Sequence, residues 1–293
     1  MTHVPVMTAE VLRYLRPERG GLFVDCTVGL GGHSRALLEG GATRVLGLDR
    51  DPIALALAGE ALAPYRDRVE LVHADYRELD RVLDARGIPA VDGTLADLGV
   101  SSMQLDAEGR GFSFRRDEPL DMRMDQTSGA SAAEWLRTVD EEELANVIFE
   151  YGEERYSRRI ARAIVSSRAS VPVETTGQLA AIVRRAIPHR GYQRIDPATR
   201  TFQALRIWVN RELEDLDTFL VGATRRLLQG ARLAVITFHS LEDRIVKHTF
   251  RAIEKAEEAM RILTKRPLVP ADAELARNPR ARSAKLRAIE RVA

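Results

Sequence analysis

The chain of 293 residues contains one cysteine, Cys26, so an intramolecular disulfide is excluded and a reducing, cytoplasmic setting is the natural expectation. No run of about 18 apolar residues occurs, and no membrane span is expected. The start, Met1-Thr-His-Val-Pro5, puts no apolar core behind a basic segment, so no signal peptide is expected. The six histidines and the lone cysteine show no metal-ligand spacing, and no metal is expected. Repeats and low-complexity tracts are absent. Lysine is scarce, with Lys247, Lys255, Lys265 and Lys285 the only ones, so arginine carries nearly all the positive charge.

What is present is ordinary for a globular protein: 45% hydrophobic and 30% charged residues, enough for one large α/β domain with or without a companion. The net charge of +1 hides an asymmetry. Between Arg155 and Arg211 stand 12 arginines and only two acids, Glu174 and Asp196, a local surplus of +10 (12 − 2). A taste for arginine over lysine does not account for the missing acids. A surplus of this kind is the footprint of a polyanionic partner.

The first hundred residues alternate strand and helix. Strands are expected over 22–27, 44–49, 69–75 and 93–99. Helices follow the glycines after Asp25, the Asp51-Pro52 pair, and Tyr76. This is the rhythm of βαβ units around a parallel sheet. It breaks at Ser101, where residues 101–125 read as loop. Residues 130–190 read as several short helices with no strand pattern. From Phe202 to Leu220 apolar residues recur every three or four positions, which predicts one long amphipathic helix ending at 227–230. A fifth strand is expected over 233–239, then a helix capped by Ser240, a loop over 261–278, and a last strand over 284–292. The expected organisation is an α/β domain of residues 1–105 and 200–293 with a mainly helical insertion, 106–199.

The chemistry concentrates at the turn Asp25-Cys-Thr-Val-Gly29-Leu-Gly31-Gly32-His33. Glycines let backbone approach a ligand, and the following helix offers unpaired N–H groups. Asp49 ends the second strand 18 residues after Gly31 (49 − 31), where an acid can accept ribose hydroxyls. A dinucleotide fingerprint needs glycine where Ser34 stands. An acid followed by G-x-G instead points to an adenosyl donor such as S-adenosylmethionine. Asp75-Tyr76 follows the third strand with an acid and an aromatic wall. Asp97 to Ser102 closes the fourth, where it should face both donor and acceptor.

Longer signatures follow: Leu48-Asp-Arg-Asp-Pro52, Asp97-Leu-Gly-Val-Ser-Ser102, Arg110-Gly-Phe-Ser-Phe114, Pro119-Leu-Asp-Met-Arg-Met-Asp125, Pro197-Ala-Thr-Arg-Thr-Phe-Gln203, Phe238-His-Ser-Leu-Glu-Asp-Arg244 and Asn278-Pro-Arg-Ala-Arg-Ser283. With His3-Val-Pro-Val at the start they run from end to end of the chain, and on them it resembles the MraW/RsmH family of bacterial small-subunit rRNA cytosine-N(4) methyltransferases. Met103 departs from the usual proline, and Cys26 from the usual small residue. The resemblance implies a class I S-adenosylmethionine-dependent methyltransferase fold, Rossmann-like and mostly parallel, with an inserted helical domain. It implies S-adenosylmethionine as the only cofactor, contacted by Gly31, Gly32, His33, Asp49, Tyr76, Asp97 and Gln104. The acceptor would be the exocyclic amine of a cytidine in the decoding region of 16S rRNA, within the small ribosomal subunit.

Acceptors for the amine N–H groups are then needed, and Asp97, Ser101 and His239 are the candidate catalytic residues. The arginine-rich insertion is the candidate RNA-recognition domain. Phe112, Phe114 and Trp135 are candidate stacking groups, Trp135 reading rather as core, and His189, Arg190 and Arg194 are candidate RNA contacts. The rival readings are a non-catalytic RNA-binding protein on a methyltransferase fold and a nicotinamide oxidoreductase. The second is disfavoured by Ser34 and leaves the arginines without a role.

Overall fold

The structure, a computed structural model, describes residues 5–188 and 196–293. His3, His189, Arg190 and Arg194, all singled out above, lie outside the described residues. The chain divides into two compact units. One runs to Gly99 and resumes at Leu213; the other is Val100–Glu212. The boundaries expected at 105/106 and 199/200 both fall inside the second unit.

The first unit is built on a 7-stranded sheet in the order β3-β2-β1-β4-β5-β7-β6. Its strands are β1 (Leu22–Asp25), β2 (Arg44–Asp49), β3 (Val69–His73), β4 (Val91–Asp97), β5 (Leu227–Thr237), β6 (Met260–Ile262) and β7 (Lys285–Arg291). The first five are parallel, β7 runs antiparallel to β5, and β6 antiparallel to β7. Successive residues feed opposite faces: Phe23, Val45, Leu95 and Ile236 enter one apolar cluster, and Val24, Leu46, Ala96 and Val235 the other. Both faces are covered, which is why the strands read as continuous apolar runs. The strand order reverses between β1 and β4, and a ligand crevice is expected outside the carboxyl ends there.

The second unit packs the helices Ala132–Thr138, Glu141–Gly152, Ser157–Arg168, Thr176–Ala186 and Ala198–Asn210 around Leu136, Ile148, Ile164, Val183 and Leu205. Three of these helices start at a side-chain cap the sequence carries in plain view: Ser131, Asp140 and Thr175. The segment over 119–125 has no regular structure, yet it is fixed from both sides. Asn210 donates to the Met122 carbonyl (2.7 Å) and accepts from the Met124 N–H (2.7 Å). The buried Arg110 donates to the Met124 carbonyl at 2.8 Å.

Several expectations are corrected. The single long helix over 202–220 is two, Ala198–Asn210 and Leu216–Arg225. Arg211 adopts a left-handed conformation (φ 52°), its N–H and that of Glu212 return to the Trp208 and Ile207 carbonyls, and the Arg206 guanidinium clamps the Glu212 carboxylate at 2.8 Å. This is a Schellman stop with arginine where glycine is usual, so nothing in the composition announces it. Residues 227–230 belong to β5, not to a helix end. The helix after β5 is capped by His239 rather than Ser240, its imidazole accepting from the Glu242 N–H. Residues 101–125 include a short helix, Ser102–Asp106, and residues 261–278 include part of β6 and the helix Asp272–Arg277.

Candidate active site

The turn after β1 is stitched to both neighbouring strands. Val28 N–H donates to the Leu48 carbonyl of β2, and Asp97 N–H at the end of β4 donates to the Thr27 hydroxyl at 2.7 Å. Thr27 therefore ties the turn to β4. Asp25 is fully buried and accepts from the Thr27 N–H and, at 2.7 Å, from the Ser34 hydroxyl. Burial raises its pKa, against the pull of His33, Ser34 and Thr27. Asp25 and Ser34 thus hold the turn to the first residues of the next helix. The residue that breaks the dinucleotide fingerprint has a structural duty of its own.

That helix, Gly32–Glu39, begins at Gly31, whose left-handed conformation (φ 80°) suits glycine, and no side chain caps it. Its first turn carries no acid. Free N–H groups and the positive end of the helix dipole are left for an anion such as the carboxylate of an amino acid.

Asp49 closes β2 with both oxygens engaged: Oδ2 accepts from Gly29 N–H at 2.7 Å and Oδ1 from Asp51 N–H at 2.8 Å. Burial nevertheless pushes its carboxyl up to about 6. After β3, Asp75 pairs with Arg77 (2.8 Å) and Arg50 (3.4 Å). Burial drives the Asp75 pKa up, but the two guanidinium groups outweigh it and hold it low. Tyr76 packs on Phe219, ring centres 4.8 Å apart at 58°, and remains half-buried.

At the end of β4 the Asp97 carboxylate faces His33, Oδ2 to Nε2 3.5 Å. His33 is buried, and neither of its nitrogens nor the Asp97 Oδ1 has a well-formed hydrogen bond among the described residues. Burial alone would lower the His33 pKa; Asp97 first, then Asp25 and Glu274, reverse this and raise it. Phe238, which sequence reasoning passed over, lies against the Asp97 strand end, 3.4 Å from where a Gly99 side chain would stand. Only its position after β5 could have pointed to it.

The sequence candidates therefore sort as follows. Gly31, Gly32, His33, Asp49, Tyr76, Asp97 and His239 all lie at or just beyond the carboxyl ends of parallel strands of one unit. His239 is half-buried in a cap, its Nε2 3.1 Å from Glu242. Ser101 and Gln104 belong to the second unit. There they form a capping box with each other: the Ser101 hydroxyl accepts from Gln104 N–H, and the Gln104 amide oxygen accepts from Ser101 N–H at 2.9 Å. Trp135 is buried and stacked on Trp208 (3.8 Å), Phe112 is buried, and Phe114 meets Phe202 edge-on at 4.7 Å, so all three contribute to the core of their unit.

The profile of the MraW methylase family matches residues 1–292. A ribosomal RNA small subunit methyltransferase H of Geotalea uraniireducens is 48% identical, the match covering 99% of this chain and 98% of that one. A protein of the same name from Thermotoga neapolitana is 51% identical, covering 99% and 96%. Among solved structures, an S-adenosylmethionine-dependent O-methyltransferase of Thermotoga maritima aligns with a TM-score of 0.45 and 10% identity over 100% of this chain and 68% of that one. The residues fit S-adenosylmethionine: an uncapped helix start for a carboxylate, a strand-end acid for ribose, and buried polar atoms of His33 and Asp97 with no hydrogen-bond partner among the described residues. The chain belongs to the MraW methylase family of S-adenosylmethionine-dependent methyltransferases.

Proposed function

We propose that this protein transfers a methyl group to the exocyclic N(4) amine of a cytidine in the decoding region of 16S rRNA, presented by the small ribosomal subunit. The observation that carries this reading is the Asp97–His33 pair at the end of β4, a carboxylate oxygen without a hydrogen-bond partner among the described residues beside a buried imidazole. The names of the relatives support an rRNA substrate, and the signature residues support the cytosine amine.

Bound S-adenosylmethionine supplies an electrophilic methyl. Gly31, Gly32 and His33 hold its amino-acid end, Asp49 and Tyr76 its nucleoside end. Asp97 Oδ1 accepts an N–H of the target amine, which draws the lone pair out of conjugation with the ring and aims it. The methylated amine loses its proton readily, so Asp97 needs to orient more than to act as a strong base. No covalent enzyme intermediate takes part. Burial, with Asp25 and Asp75 nearby, raises the Cys26 thiol well above its ordinary value, which leaves it inert. Ser101 and His239 keep the ends of their helices in place. The target base leaves its stack to reach the site, and the arginines of the helical unit hold the surrounding RNA.

Incubation of the purified chain with isotopically labelled S-adenosylmethionine and small ribosomal subunits lacking the mark, followed by nucleoside analysis, tests this reading. Label in N(4)-methylcytidine is the expected result. Label confined to another nucleoside contradicts it.

A further inference from the structure

The signature Asn278–Ser283 has no part in the donor site, and the structure places it at the same end of the sheet. Lys285 opens β7 opposite Thr237, the last residue of β5. Because β7 is antiparallel, the residues before Lys285 stand at the carboxyl ends of the parallel strands. A second line of contact agrees. Glu274 accepts from the Met7 N–H, and Pro5, two residues earlier, lies 3.1 Å from where a Gly32 side chain would stand. The segment from Asp272 to Lys285 therefore borders the glycine turn.

It is anchored and charged. Ala281 and Ala284 are buried in the apolar cluster of that face, while Arg277 and Arg282 are exposed. From Leu275 to Ile289 the sequence carries five cations and no acid. Two of them, Lys285 and Arg287, share an ion pair with Asp243. Among the described residues Arg282 forms no ion pair, and Arg277 bonds only the Ala273 carbonyl, through Nε, which leaves its terminal nitrogens to solvent. Guanidinium groups held on an anchored segment match phosphate oxygens in paired geometry and lose little freedom on binding.

We infer that Arg277 and Arg282 form a phosphate-binding rim on the catalytic unit itself, separate from the arginines of the helical unit, which grips the RNA backbone beside the methyl-donor turn. This inference rests on the rRNA reading above. Nothing in the donor site needs these two arginines, so their loss leaves S-adenosylmethionine affinity intact.

The test is the affinity of the full-length chain for a small-subunit rRNA transcript across a salt series, with S-adenosylmethionine affinity measured in parallel by calorimetry. In the Arg277→Gln/Arg282→Gln protein the slope of log affinity against log salt should fall by roughly 0.7–0.9 for each lost phosphate contact. The Arg277→Lys/Arg282→Lys protein should recover most of it. A Gln protein with the wild-type slope, measured where wild-type binding is salt-dependent, overturns the rim and leaves the rRNA reading standing. A wild-type protein whose RNA affinity ignores salt overturns both.

Discussion

His33 Nε2 lies 3.5 Å from Asp97 Oδ2, an imidazole from the first turn of a helix against a carboxylate from the end of a strand. The pair joins β1's glycine turn to β4 across the point where the strand order reverses. Since the net effect of its surroundings raises the His33 pKa above 6.5, its protonation favours the folded state. That contribution is fully present below pH 6.5 and is lost as pH rises through the folded value. In Asp97→Asn, NMR titration should find His33 shifted downward. Methyl transfer should fall on the order of 10²-fold or more, as for removal of one pre-organised polar group. An unmoved His33 titration would show that Asp97 does not govern it.

Asp49 carries the second pH signature. Its folded pKa of about 6 exceeds the unfolded value, so this group favours folding at low pH and the benefit is lost as pH rises through about 6. Ribose recognition needs the ionised form. Calorimetry should therefore show S-adenosylmethionine affinity weakening as pH falls below about 6. Asp49→Asn should lower affinity roughly 10- to 100-fold, the loss of hydrogen bonds to a charged group, and flatten that dependence. A steep dependence surviving in Asp49→Asn would assign it to another residue.

The Asn210 clamp is structural. Its side chain makes three hydrogen bonds to backbone, at Met122, Met124 and Arg206. Asn210→Ala leaves buried backbone groups unpaired and should cost about 3 kcal/mol of stability in chemical denaturation. S-adenosylmethionine affinity should stay within about twofold of wild type at temperatures where the protein is folded, because Gly31, Asp49 and Asp97 belong to the other unit. A loss below about 0.5 kcal/mol, the usual range for surface changes, would remove the clamp from the account.

How much of this was legible beforehand follows from how local each signal is. β2 reads directly from Arg44–Asp49 because its apolar run is bounded by charge at both ends. Gly31, Asp49 and Asp97 were legible because strand ends and glycine turns fix which residues meet in an open sheet. The break at Arg211 was not, since a non-glycine residue takes the left-handed position and the clamp on Glu212 is a tertiary fact. The Thr27–Asp97 and Asp25–Ser34 bonds depend on how two distant strands and a helix come into register, which no spacing records. Trp135 read as core and stacks on Trp208, a partner 73 residues away (208 − 135). The arginine surplus was visible as a count, but which cations are already paired, as Arg184 is with Asp196, required the structure.

Mass spectrometry of small-subunit rRNA from a strain lacking this protein, complemented either by the wild-type chain or by Asp97→Asn, reads the proposed methyl transfer in the cell. N(4)-methylation of a decoding-region cytidine is expected with the wild-type chain, and its absence without the protein or with the variant at early time points. A mark that persists in the deletion strain would contradict it.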